Sequence, residues 1–124
     1  AKEILEVLKP YYKICVLSNG FEEVQDKKIK SAGLDPYFYE VILSDHIGIN
    51  KPDARLFQYA LDKMQTNPEE SIMVGDNWYS DILGAKNSNI DQIWYNPEKK
   101  QAKDFVPTYT IKQLSEIKKI LTKE

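Results

Sequence analysis

The sequence predicts an α/β fold in which helices cover both faces of a doubly wound parallel sheet. Short apolar stretches of strand length alternate with amphipathic stretches of helical length, and the connections between them are short. Units of this kind form right-handed crossovers, which build a parallel sheet. A length of 124 residues with 42% apolar residues suits one such domain, residues 1–124.

The first half of the chain contains two predicted strands and three predicted helices. They are, in order, a helix carrying Ile4, Leu5 and Leu8, a buried strand over 13–17, a helix over 21–32 that ends at Gly33, a strand over 39–43, and a helix with Pro52 in its first turn. The last of these helices has apolar residues on one face, namely Leu56, Phe57, Ala60, Leu61 and Met64.

The second half contains two more predicted strands and two predicted helices. The strands cover 71–74 and 91–95, and a helix over 80–87 lies between them. Residues 96–107 are polar and read as a loop. Thr110 and Gln113 fit a capping box at the start of a last helix, whose apolar residues are Leu114, Ile117, Ile120 and Leu121.

Composition and charge exclude several classes of protein. The 17 basic and 19 acidic residues give a formal charge of −2, so the chain has no general attraction for nucleic acid. No apolar run approaches the roughly 20 residues of a membrane span, which predicts a cytoplasmic protein without a membrane segment. The single cysteine, Cys15, is predicted to be a buried structural thiol.

Polar residues follow the first two predicted strands at the edge where parallel sheets bind ligands. Ser18-Asn19-Gly20 offers a hydroxyl, an amide and backbone N–H groups to an anion, although a simple helix cap is the alternative. Lys51 comes just before a predicted helix, where a cation is unfavourable beside the positive end of the helix dipole. The lysine is therefore expected either to bind an anionic ligand or to be solvated. His46 is predicted to be a surface loop residue.

Two aspartates, Asp76 and Asp81, lie around the turn after the third predicted strand. Carboxylates placed in this way can converge on Mg²⁺, which prefers oxygen ligands and keeps waters or phosphate oxygens in its remaining positions. The alternative is that Asp81 caps the next helix, which explains Asp76 less well. Together with the donors and the lysine, the pair predicts a site for phosphate and Mg²⁺.

Three segments resemble motifs II, III and IV of the haloacid dehalogenase superfamily of phosphohydrolases. They are Ser18-Asn19-Gly20, Lys51-Pro52 and Gly75-Asp76-x-x-x-x-Asp81, in this order. A further segment, Trp94-Tyr95-Asn96, is similar to the branch of cytosolic nucleotidases that act on nucleoside monophosphates.

The resemblance implies a role for each matching residue in the Mg²⁺-dependent hydrolysis of a small phosphate monoester. Ser18, Asn19 and Gly20 are implied to bind the phosphoryl group. Lys51 and Asp76 are implied to be catalytic, with Lys51 neutralising the charge of the phosphoryl group. The implied metal-binding residues are Asp76, which binds Mg²⁺ directly, Asp81, which binds it directly or orients a ligand, and Asn77, which contacts it from the side.

The family's first motif, Asp-x-Asp, does not occur in the 124 residues. The resemblance implies that this motif supplies the covalent nucleophile, that a helical cap follows it, and that both lie upstream of the three motifs. We therefore expect little turnover from the isolated chain. By analogy with serine hydrolases, losing a covalent nucleophile lowers the rate roughly 10⁴- to 10⁶-fold.

The strand that carries the first motif is implied to lie centrally, between the strands that end at Leu17 and Val74. Without it, two apolar strand edges are exposed. We expect the gap to be closed by the N-terminal segment, by a second copy of the chain, or by direct pairing of the two strands. The alternative function is a catalytically inactive module that binds a partner through these edges. A receiver domain is disfavoured because no acidic residues follow Leu17 directly.

Overall fold

Strands and helices alternate along the chain in the computed structural model, which describes residues 2–18 and 35–122. The regular elements are α1 (Lys2–Leu8), β1 (Cys15–Ser18), β2 (Glu40–Leu43), a single turn α2 (Ser44–Ile47), α3 (Ala54–Met64), β3 (Ile72–Gly75), α4 (Gly84–Asn87), β4 (Asp91–Tyr95), β5 (Tyr109–Ile111) and α5 (Glu116–Thr122). A π-helical segment, Trp78–Leu83, leads directly into α4. Within the described ranges, no helix is long and apolar enough to cross a membrane.

All the strand pairs that are described are parallel, which confirms the predicted α/β class. β1 pairs with β2, and β3, β4 and β5 form a second sheet in that order. β4 lies in the middle of the second sheet and is the most buried strand, with Ile93 fully buried. A strand covered on both faces is expected to be continuously apolar, as this one largely is.

Two apolar clusters attach helices to opposite faces of the sheets. The first cluster joins α1 and α5 to the second sheet and contains Leu8, Ile93, Ile111 and Ile117. The second cluster joins α3 and α4 to the other face and contains Phe57, Leu61, Ala85 and Ile90. The result is a three-layer arrangement of helix, sheet and helix.

β1 and β3 contact the same two clusters but do not pair with each other. Ile14, directly before β1, and Ile72 of β3 both pack on the first cluster. Leu17 of β1 and Met73 of β3 both pack on the second. No ladder joins the two strands in the part of the chain that is described, and Val74 of β3 is 37% exposed. Direct pairing of these strands, one of the three expected ways to close the gap, is therefore wrong.

Several predicted boundaries shift for identifiable reasons. α3 begins directly after Asp53, which caps the helix because its carboxylate accepts the backbone N–H of Arg55. Pro52 therefore lies before the helix and not in its first turn. Pro52 precedes the cap and follows Lys51 through a cis peptide bond. The helix predicted over 80–87 begins earlier, at Trp78, because Asn77 caps it by accepting the N–H of Ser80. The helix predicted over 21–32 lies outside the described residues.

The predicted capping box at Thr110 and Gln113 is wrong. Thr110 lies in β5, a short parallel strand beside β4 that the sequence pattern did not predict. Glu116 caps α5 from within instead, since its Oε2 accepts the backbone N–H groups of Lys112 and Gln113 at 2.8 and 2.9 Å. Leu114 lies before the helix and is partly exposed, whereas Ile117 is buried.

Candidate active site

Lys51 and Asp81 form a buried ion pair that joins the chain segments following β2 and β3. Lys51 Nζ lies 2.6 Å from Asp81 Oδ1, and the two side chains are only 11% and 8% exposed. The contact shows that the segments following the carboxyl ends of β2 and β3 come together. A short charge-assisted bond of this kind fixes both groups in place.

Asp81 packs against the backbone of Gly75 at the end of β3. A Cβ atom on Gly75 would lie 2.5 Å from Asp81 Oδ2, so only glycine leaves room for this carboxylate. Oδ2 also accepts the backbone N–H of Asn77 at 3.3 Å. Asn77 is the residue that caps the π-helical segment and Asp81 lies within its first turn, so the alternative role of Asp81 as the N-cap is wrong.

Asp76 follows Gly75 directly and exposes its side chain to solvent. Among the described residues its carboxylate has no hydrogen-bond or ion-pair partner, while its backbone carbonyl accepts the indole N–H of Trp94 at 3.1 Å. The main chain of Asp76 is therefore held, and its carboxylate is left available beside Asp81. The sequence pattern marked Trp94 only as similar to the nucleotidase branch and did not predict this contact.

The remaining predicted site residues are placed to different degrees. Ser18 ends β1 and is half-buried at the carboxyl end of that strand. Asn77 uses its side-chain oxygen to cap the π-helical segment, and its contact with a metal stays a prediction. Asn19 and Gly20 lie outside the described residues. For His46 only the backbone, in α2, is described.

Cys15 has the character of a structural thiol. Burial, together with the nearby charge of Glu40, raises the pKa of Cys15 from 9.0 to about 12. Glu40 is the residue opposite Cys15 in the β1–β2 register. Because the thiolate is the reactive form, this thiol stays protonated and unreactive at neutral pH. The Cys15 residue is partly buried, not fully buried as predicted, and its structural role stays a prediction.

An aromatic cluster of Trp78, Trp94 and Phe105 lies beside the Asp76 loop. The Trp78 and Trp94 rings are 4.7 Å apart at an angle of 56°, and Phe105 stacks on Trp78 at 4.8 Å and 28°. Such pairs add about 0.5–1.5 kcal/mol beyond the burial of their surface. The cluster connects β4, the π-helical segment and the loop before β5. The sequence did not predict it, because ring contacts between distant segments leave no periodic signal.

The family model for haloacid dehalogenase-like hydrolases matches residues 1–95. The chain belongs to the haloacid dehalogenase-like hydrolases. The matched range contains all the residues of the three motifs, which agrees with the resemblance seen in the sequence.

Named relatives of this hydrolase family are similar to nearly the whole chain. The pyrimidine 5'-nucleotidase YjjG of Escherichia coli is 34% identical over 126 residues, which cover 99% of this chain and 56% of that protein. A glyceraldehyde 3-phosphate phosphatase of Methanothermobacter thermautotrophicus is 35% identical over 124 residues, covering 95% of this chain and 55% of that protein. The chain thus spans about half the length of the curated relatives it matches.

A solved structure of the same family has the same fold. The hydrolase YfnB of Bacillus subtilis, described as bound to magnesium, superimposes with a TM-score of 0.90 at 29% identity, covering 97% of this chain and 52% of that one. The parallel α/β architecture assigned above is therefore that of the haloacid dehalogenase-like hydrolases.

The donor set of this hydrolase site suits Mg²⁺ in part. Asp81 packs its carboxylate against Gly75, and Asp76, the next residue after that glycine, has an exposed carboxylate; hard cations prefer such oxygen ligands. Within the described ranges, no three acidic, histidine or cysteine side chains lie close enough together to hold a metal ion by themselves. Waters, phosphate oxygens or a further protein segment must therefore complete a magnesium shell at this site.

Proposed function

We propose that the chain is the C-terminal part of a Mg²⁺-dependent phosphohydrolase that cleaves small phosphate monoesters. The buried Lys51–Asp81 pair beside the available carboxylate of Asp76 is the observation that carries this proposal. The pair fixes a cation and one acid, and Asp76 adds a second acid directly after β3, at the edge where ligands of α/β proteins bind. Family membership and the phosphatases and nucleotidase among the relatives support the same reaction class.

The proposed roles follow from the charge of the reacting group. A transferring phosphoryl group spreads negative charge over its oxygens, so catalysis depends on fixed cations and donors around it. Lys51 supplies a cation whose position is set by Asp81. Ser18 supplies a hydroxyl at the end of β1, and Asn19 with Gly20 extends that set of donors. These residues bind and orient the phosphoryl group.

Asp76 and Asp81 are the proposed magnesium ligands of this chain, with Asn77 at the side. When bound, Mg²⁺ neutralises part of the charge on the phosphate oxygens. Asp76 is the direct ligand, because its carboxylate is exposed while its main chain is held. Asp81 keeps one oxygen on Lys51 and offers the other, which accepts a 3.3 Å bond from Asn77.

The nucleophile is proposed to come from outside the 124 residues, as an aspartate that forms an aspartyl-phosphate. Asp-x-Asp is absent from this sequence, and within the described ranges β1 and β3 leave an unpaired edge on each side of a gap. A parallel strand inserted between them would satisfy both edges and end beside Lys51 and Asp76. The upstream segment of the protein is the proposed source, and a second copy of the chain is the competing one.

The substrate is proposed to be a phosphate monoester, with a nucleoside 5'-monophosphate as the first candidate. The relatives named above act, by their names, on a pyrimidine nucleotide and on glyceraldehyde 3-phosphate, which share only the phosphate ester. The resemblance of Trp94-Tyr95-Asn96 to the nucleotidase branch favours the nucleotide. Specificity beyond the phosphate lies in the rest of the protein.

The first test combines intact mass with hydrolysis of p-nitrophenyl phosphate. The 124-residue chain and a longer form carrying the upstream coding segment are assayed with Mg²⁺ and with EDTA. We expect turnover that EDTA abolishes in the longer form, and at least roughly 10⁴-fold less from the chain alone. Absence of hydrolysis of p-nitrophenyl phosphate and of nucleoside monophosphates by the longer form overturns the proposal.

The second candidate is a catalytically inactive module that binds a partner strand. The edges of β1 and β3 that stay unpaired among the described residues favour it, because exposed edges readily accept another strand. Stable capture of an upstream peptide with no hydrolysis in the completed complex is the result expected for this module. Chelator-sensitive turnover in that complex is the result expected for the enzyme.

A further inference from the structure

Trp94 connects the central strand to the proposed metal loop through one hydrogen bond. Its indole N–H donates to the backbone carbonyl of Asp76 at 3.1 Å. Trp94 lies opposite Gly75 in the β3–β4 register, so its side chain reaches just past the end of β3. Trp94 itself is 3% exposed, and a buried indole N–H requires a partner.

The bond fixes the part of Asp76 that determines where its side chain points. Asp76 follows the last residue of β3, so the ladder to β4 no longer holds its carbonyl. Anchoring that carbonyl restricts the peptide unit between Asp76 and Asn77, and with it the backbone rotation that aims the carboxylate. The carboxylate has no partner of its own among the described residues.

The orientation of the indole is itself held by ring packing. Trp78 lies 4.7 Å from the Trp94 ring, and Phe105 stacks on the far side of Trp78. Lys86 lies 5.7 Å from the Phe105 ring centre and covers the outer end of the stack. Sites bind metals well when such supporting contacts lock the ligands before the metal arrives.

We infer that Trp94 is a positioning residue for Asp76, holding its carboxylate ready for a divalent cation through the indole–carbonyl hydrogen bond. The inference rests on the proposed function, because the cation is the Mg²⁺ of that proposal. It goes further by assigning a role to a side chain that touches neither metal nor substrate.

The test uses the chain's two tryptophans, which give two indole N–H signals in a ¹H–¹⁵N spectrum. Trp94→Phe keeps an aromatic ring but removes the donor, and its missing signal identifies Trp94. Trp78→Phe is the matched control from the same aromatic cluster, because it leaves the Trp94 donor intact. Each form is titrated with MgCl₂, following the amide signal of Asp76 and the indole signals, first as the 124-residue chain and, where that chain shows no response, as the longer form with the upstream segment.

In the wild type we expect the Trp94 indole proton to exchange slowly with solvent and its signal to shift as Mg²⁺ binds. Trp94→Phe is expected to weaken Mg²⁺ binding about fivefold, the equilibrium equivalent of one net hydrogen bond. Trp78→Phe is expected to stay within about twofold of the wild type, because it keeps that bond. The wild-type indole signal tests the inference even where Trp94→Phe does not fold.

Each other outcome has a defined meaning. Equal Mg²⁺ affinity in the wild type and Trp94→Phe overturns the positioning role and leaves the proposed function intact. A Trp94 indole proton that exchanges as fast as free indole does the same. If the wild type shows no response to Mg²⁺ in either the chain or the longer form, the proposed metal site fails, and the inference fails with it.

Discussion

Lys51 Nζ lies 2.6 Å from Asp81 Oδ1, and this ion pair connects the polar residues after β2 to those after β3. Both partners are largely shielded from water, so the charge of Asp81 depends on Lys51 for compensation. Removing one partner of such a pair leaves a buried charge without its counter-ion, which is more costly than the pair itself is stabilising.

Replacing Lys51 with Met is therefore expected to lower the free energy of unfolding by about 3 kcal/mol or more. Urea unfolding at pH 7, followed by circular dichroism, measures the change. Arg55→Ala is the matched control, because its 2.7 Å pair with Asp53 is exposed, with 74% of the Arg55 side chain accessible. Breaking that pair is expected to cost less than about 1 kcal/mol. Equal losses in the two variants would contradict the buried role of Lys51.

Gly75→Ala is expected to displace the Asp81 carboxylate. The added Cβ would lie 2.5 Å from Asp81 Cβ and Oδ2, so the side chain must move, at a cost of about 1–3 kcal/mol. Gly84→Ala is the control, because the nearest atoms to its Cβ would be those of the Phe57 ring at 2.6 Å and Pro52 Cα at 3.1 Å, and neither acid is among them. Both variants are expected to lose stability. Only Gly75→Ala is expected to bind Mg²⁺ more weakly than the wild type when both are titrated with MgCl₂ and followed by the NMR signal of the Asp76 amide. Unchanged binding in Gly75→Ala argues against Asp81 as a ligand.

Much of the fold was predictable because it depends on local patterns. The alternation of apolar runs and amphipathic stretches located β2, β3 and β4 to within one or two residues. The ends of these strands then predicted that Lys51, Asp76 and Asp81 share one edge. Backbone geometry is enough for this step, since parallel strands all present their carboxyl ends to the same side.

What the sequence did not predict depends on contacts between distant segments. β5 has three residues, Tyr-Thr-Ile, which individually favour strands, but a segment this short has no pattern of its own and becomes a strand by pairing with β4. The start of α3 is a local exception, since either the proline at position 52 or the cap at Asp53 could begin the helix and the structure uses Asp53. The Trp94–Asp76 hydrogen bond joins β4 to the residue after β3, and no single-sequence pattern contains the register of these two strands.

Cys15 is expected to resist alkylation while the chain is folded. Burial and Glu40 raise the pKa of the thiol to about 12, so the thiolate is scarce at pH 9, where an unfolded cysteine is half ionised. Iodoacetamide labelling at pH 9, followed by mass spectrometry, is expected to be slow in buffer and fast in 8 M urea. Glu40→Gln is expected to raise the rate only modestly, because burial is the larger cause. Comparable rates in the folded and unfolded chain would contradict a shielded thiol.

Glu116 is expected to contribute a pH-dependent part of the stability of α5. Backbone N–H groups of Gln113 and Lys112 lower the pKa of Glu116 from 4.5. A carboxyl whose pKa is lower when folded stabilises the fold above its unfolded pKa, and this contribution is lost as the pH falls through the lowered value. Glu116→Gln should therefore reduce stability at pH 7 and leave a flatter dependence below pH 4.5. Thermal unfolding from pH 3 to 7 tests this, and parallel curves for the two proteins would contradict it.

The gap between β1 and β3 predicts an alternating pattern of hydrogen exchange. In a parallel strand, successive N–H groups point to opposite sides, so a strand paired on one side protects only every second amide. In the 124-residue chain we expect this alternation along Cys15–Ser18 and Ile72–Gly75. β4 is the internal control, because it pairs with both β3 and β5 at Ile93 and Trp94, where successive amides should both be protected. The longer form with the upstream segment should lose the alternation in β1 and β3 while β4 stays unchanged.

Uniform protection of β1 and β3 in the 124-residue chain at low concentration would mean that the chain closes the gap itself. The same result only at high concentration would identify a second copy as the strand donor.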